Sequence, residues 1–61
     1  MSLALRVYRR TFFSAEAART AILFLLEHSQ WFEVTPLPDD EYEVAVKEEN
    51  EQFLDNMATY Q

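Results

Sequence analysis

Only one side chain in this 61-residue sequence, His28, titrates near neutrality without special perturbation. For nucleophilic catalysis it would need a serine, threonine or cysteine within reach and a third group to orient it. Ser14 and Ser29 are the only interior serines, cysteine is absent, and both serines fall where helix ends are expected. His28 itself falls in the last turn of the first expected helix, where an imidazolium interacts favourably with the helix dipole. No triad is readable, and a capping role is assigned to His28.

Carboxylates are the abundant reactive groups: Asp39, Asp40, Glu41 and Glu43, followed by Glu48, Glu49, Glu51 and Asp55. A specific calcium site takes six to eight oxygens gathered by a tight loop, usually around a glycine. The chain has no glycine at all. The same absence removes every phosphate-cradling or dinucleotide motif built on a glycine-rich turn, and the lack of cysteine removes thiolate metal sites and disulfides. General acid and base carboxylates need a cavity that drives their proton affinities apart. A domain of this size buries only about 60% of its unfolded surface and offers little depth. The expectation is a protein that is not an enzyme and carries no cofactor or metal.

A different chemistry is written into the first segment, where Arg6, Tyr8, Arg9 and Arg10 precede Phe12 and Phe13. Cations interleaved with aromatics can bind nucleic acid. The chain as a whole opposes this, with five basic residues against eleven acidic ones and a net charge of −6. The charges are also unevenly placed: four arginines and one glutamate up to residue 20, then one lysine and ten acids. A row of surface carboxylates can imitate a nucleic-acid backbone and occupy a basic protein, so an acidic mimic is one alternative. Nucleic-acid binding through the arginines is the other.

The elements that would position these groups follow from periodicity. Hydrophobic residues make up 49% of the chain, too many for a disordered tail. Residues 3–12 alternate, with Leu3, Leu5 and Val7 on one face and Arg6, Tyr8 and Arg10 on the other. This reads as a half-buried strand with a bulge or an end near Arg9 and Arg10. Ser14 is a good N-cap for a helix from Ala15 to about Ser29, with Glu16 in its first turn. At helical spacing Ala18, Ala21, Ile22, Leu25 and Leu26 share a face that Ala17 and Phe24 widen, and Leu23 falls on the polar side. Trp31 to Pro36 is a short strand. Leu37-Pro38-Asp39-Asp40 reads as a type I turn with proline at its first central position. Glu41 to Lys47 alternates cleanly and completes a hairpin. The acidic run from Glu48 opens a final helix with Phe53, Leu54, Met57, Ala58 and Tyr60 on its apolar stripe.

Strand, helix, strand, strand, helix in a single unit, residues 1–61, predicts an α+β two-layer sandwich on a three-stranded sheet. The topology is that of the split ferredoxin-like pattern without its last strand. The first strand then lies beside the third with its outer edge unpaired, and two copies pairing these edges about a twofold axis would form a six-stranded sheet. Repulsion among Arg6, Arg9 and Arg10 would oppose that pairing. The function expected on these grounds is a small acidic protein-interaction or regulatory module acting as a homodimer. Its candidate contacts are Arg6, Tyr8, Arg9, Arg10, Leu23, Phe24, Trp31, Asp39, Asp40 and Glu41, with a heterologous protein as a further partner. The opening Met1–Arg6 reaches a charge too soon for a signal peptide, and the longest apolar run, residues 21–26, is too short for a membrane span. A cytoplasmic protein with no membrane partner is expected.

Overall fold

The computed structural model describes residues 6–59. In chain order these form β1 (Val7–Phe12), α1 (Ala15–Glu27), β2 (Phe32–Pro36), β3 (Tyr42–Lys47) and α2 (Glu51–Thr59), with a 3₁₀ turn at Glu48–Asn50 leading into α2. The sheet order is β1-β3-β2, and β3 runs antiparallel to both neighbours. Both helices lie on one face. This is the expected α+β sandwich, and β1 does lie beside β3.

The core is built where the periods of strand and helix coincide. Phe12, Val44 and Val46 of the sheet meet Ala18, Ala21 and Leu25 of α1 and Leu54 and Ala58 of α2, all buried. Alanine at positions 18 and 21 lets α1 approach β3 closely, while the larger Leu25 and Leu54 fill the space between the helices and the sheet. Ser14 caps α1 as expected, its Oγ accepting from the Ala17 amide at 3.1 Å. The one buried polar side chain among the described residues is Asn50, which donates to Gln30 Oε1 at 2.8 Å and so ties the entry of α2 to the α1–β2 connection.

Several expectations are corrected. The β1–β3 register runs without interruption from Val7 opposite Lys47 to Phe12 opposite Tyr42, so there is no bulge at Arg9 and Arg10. The face assignment of β1 is reversed: Tyr8 and Arg10 lie on the helix side together with buried Phe12, and Val7 shares the open face with Arg9. Phe12, the largest apolar side chain of the segment, sets the phase. Leu3, Leu5 and Tyr60 lie outside the described residues. In α1, Leu26 is 57% exposed, because the sheet it would cover is already filled by Leu25. In α2, Phe53 is 44% exposed while Leu54 and Ala58 take the core positions.

The β2–β3 turn is also not type I. Asp39 and Asp40 both have left-handed backbone, with φ of 64° and 60°. The Glu41 amide donates to the Pro38 carbonyl at 3.4 Å, which centres the turn on the two aspartates. Two consecutive left-handed residues match the right-handed twist of the flanking strands, and aspartate tolerates that conformation better than most residues other than glycine. A third left-handed residue, Ser29 with φ of 54°, ends α1. There the Gln30 amide donates to Leu25 at 2.9 Å and the Ser29 amide to Leu26 at 3.1 Å, the paired pattern that usually closes over a glycine.

Candidate interaction surfaces

The hydrogen-bond phase of the sheet decides which backbone groups face outwards. The Leu37 amide donates to Glu41 at 2.9 Å, and the Glu48 amide donates to Arg6 at 3.0 Å. In an antiparallel ladder, hydrogen-bonded and non-hydrogen-bonded pairs alternate. Given the registers, Glu33 and Thr35 turn their backbone groups towards β3 while Phe32 and Val34 turn theirs outwards. On the other side Tyr8, Arg10 and Phe12 bond β3, and the backbone groups of Val7 and Arg9 point away from it.

The side chains of β1 are, by contrast, engaged. The Tyr8 hydroxyl donates to Asp55 Oδ1 at 2.6 Å, and Arg10 Nη1 donates to the same oxygen at 2.9 Å and to the Tyr8 hydroxyl at 3.4 Å. This three-residue knot fastens α2 to β1. These contacts raise the Arg10 pKa above its ordinary value: the hydrogen bond to Tyr8 contributes most, desolvation opposes it, and the charge of Asp55 adds to it. On the opposite sheet face Arg9 pairs with Glu43 at 3.4 Å. The structure therefore does not gather the β1 arginines into one patch. Arg9 and Arg10 leave opposite faces, each on a carboxylate of its own chain, while exposed Arg6 gives its carbonyl to the entry of the 3₁₀ turn.

Leu23 is 50% exposed on α1, as expected of its polar-side position. Phe24 is half-buried, its ring stacked on His28 at 4.2 Å and tilted against Phe53 of α2 at 5.8 Å. His28 is the C-cap of α1, with Nδ1 2.9 Å from the Phe24 carbonyl. Trp31 is half-buried just ahead of β2. Asp39 and Asp40 are exposed at the turn, with Glu41 half-buried beside them. Glu48, Glu49 and Glu51 stand at the far end of β3, and the open face between the two acidic groups carries Arg9 and Lys47 alongside Glu33 and Glu43. Among the described residues no cluster of three histidine or acidic side chains is arranged to hold a metal ion. No described helix is long and apolar enough to cross a membrane.

Two features lie beyond what the sequence singles out. Asp55 reads as one more surface acid; its position one turn after Glu51 on α2 gives no hint that it meets two residues of β1. The second is a groove of about 330 Å³ between α1 and β2, lined by Ala18, Ile22, Leu23, Val34 and Tyr42 among others, with exposed Arg19 its one charged lining residue. Small residues on α1 could have signalled it, since alanine at positions 15 and 18 leaves the helix flank unfilled.

The fold and these surfaces define a small α+β two-layer protein on a three-stranded antiparallel sheet. Comparison with protein-family models, curated proteins and solved structures finds no match.

Proposed function

We propose that the protein is a cytoplasmic, nonenzymatic interaction module that acts as a homodimer, two β1 edges joining antiparallel about a twofold axis into a six-stranded sheet. The observation that carries this reading is the outer edge of β1, where Val7 and Arg9 direct their backbone groups away from the sheet along a strand without proline. The arginines on β1 do not forbid the pairing. Arg9 and Arg10 each bring a compensating carboxylate, Glu43 and Asp55, so two strands can approach without uncompensated like charge. The same pairings favour a protein partner over nucleic acid, and on the open face Arg9 and Lys47 alternate with Glu33 and Glu43, so that face does not present the unbroken row of acids of a nucleic-acid mimic.

α2 packs against β1 more extensively than α1 does, so the proposed seam lies beneath the two α2 helices, and the exposed Leu23 and Leu26 of α1 stay outside it.

Light scattering over a range of concentrations tests the reading. The parent chain is expected to reach twice the 7.2 kDa of one chain. Arg9→Pro removes an amide that points outwards, leaves the ladder to β3 intact, and is expected to stay folded and monomeric. A parent chain that remains monomeric at millimolar concentration, or an Arg9→Pro variant that dimerises as the parent does, would refute the edge-to-edge dimer.

A further inference from the structure

The groove between α1 and β2 lies beside a second open edge, and its position relative to that edge gives it a ligand class. Val34 serves both: its side chain lines the groove, and its backbone N–H and C=O point outwards from β2. A residue of an added strand set opposite Val34 projects its side chain from the same face of the sheet, into the space bounded by Ala18, Ile22 and Leu23. The residues two positions away emerge on that face as well, within reach of α1. Arg19 stands there, exposed, with no ion pair among the described residues, whereas Arg9 and Arg10 are both paired.

We infer that this flank captures an extended segment of another protein by strand addition to β2, with an apolar side chain in the groove and a carboxylate two residues away on Arg19. Backbone pairing to Phe32 and Val34 supplies the affinity, and the groove and Arg19 supply the selectivity. Pro36, which has no amide, ends the pairing at the turn and limits the recognised segment to a few residues. The site is separate from the β1 edge, which lies on the other side of β3, and does not depend on how that edge is used.

The test is NMR titration of the full isotope-labelled chain with the capped peptide Thr-Val-Thr-Glu-Thr-Val-Thr. This sequence reads the same in both directions and places valine, glutamate and valine on one face. Saturable shifts are expected at the Phe32 and Val34 amides and at the methyl groups of Ala18, Ile22 and Leu23, with slowed hydrogen exchange at the two amides. Exchanging the peptide glutamate for lysine, or Arg19→Glu in the protein, should weaken binding roughly two- to five-fold, the range of a single exposed ion pair. Combining the lysine peptide with Arg19→Glu should restore it. Arg19→Glu is a surface change, so the charge test stands even if Val34→Pro, designed to remove the outward amide, fails to fold. No saturable shift at millimolar peptide, shifts confined to residues 7–11, or identical affinity for the glutamate and lysine peptides would overturn the proposal. So would concentration-dependent shifts at these same residues without peptide, since the groove would then be occupied by a second copy of the chain.

Discussion

The two flanks of the sheet guard their edges by opposite means. At β1 the side chains are spoken for: α2 packs directly on the strand, and Tyr8 and Arg10 converge on Asp55. What faces outwards there is backbone. At β2 the backbone is short, five residues ended by proline, and side-chain space is what remains open, because α1 stands off the strand and leaves the groove. The flanks differ in backbone conformation too. All three left-handed residues of the described chain, Ser29, Asp39 and Asp40, bracket β2, and none lies in β1. An edge satisfied through its side chains suits a symmetric partner that brings only another backbone, whereas an unfilled groove selects for a particular side chain.

Truncating each flank should expose this difference most strongly. Leu54→Ala, in the fully buried seam under α2, is expected to cost about 3 kcal/mol. Ile22→Ala on the groove wall, where the side chain is only half-buried, should cost about 1 kcal/mol. Urea unfolding at one fixed protein concentration measures both, since self-association would otherwise add a mass-action contribution. Equal losses would mean that the groove is as well packed as the α2 seam.

The Tyr8 to Asp55 hydrogen bond sharpens the β1 side of the contrast. Tyr8→Phe removes the donor and should lower stability by about 1 kcal/mol. In an Asp55→Ala background the same change should have almost no effect, because the acceptor has gone. If Tyr8→Phe costs as much without Asp55 as with it, the knot does not hold α2 to β1.

Smallest in magnitude, and opposite in sign, are the glycine substitutions that bracket β2. Ser29→Gly and Asp40→Gly each remove a side chain from a left-handed position and should stabilise the protein by about 0.5–1 kcal/mol. Hydrogen exchange of the β2 amides should slow with them. A loss of stability in either variant would show that the Ser29 or Asp40 side chain contributes more than its backbone conformation costs.

These contrasts also mark how far the sequence is readable. The clean alternation of β3 and the Ser14 cap are local signals, and both elements form where periodicity places them. The failures come where one local pattern admits two phases. In β1, Val7 and Phe12 lie on opposite faces, and burial of the larger Phe12 decides the matter only once a core exists to receive it. The turn was displaced by one residue because Pro38 fits a type I position locally, whereas the twist of the paired strands selects the left-handed form at Asp39 and Asp40. Most of the candidate contacts were legible as residues but not as a surface. Arg9 and Arg10 are adjacent in sequence and therefore emerge on opposite faces of the strand, and Asp55, which captures Arg10, is 45 residues away.

Amide hydrogen exchange at Val7 and Arg9, followed as protein concentration is raised, tests most directly whether the β1 edge is completed by a second chain. The proposed dimer predicts rapid exchange in dilute solution and protection that grows with concentration in step with the dimer mass. Amides that exchange rapidly at every concentration, whether the protein is monomeric or dimeric, would contradict it.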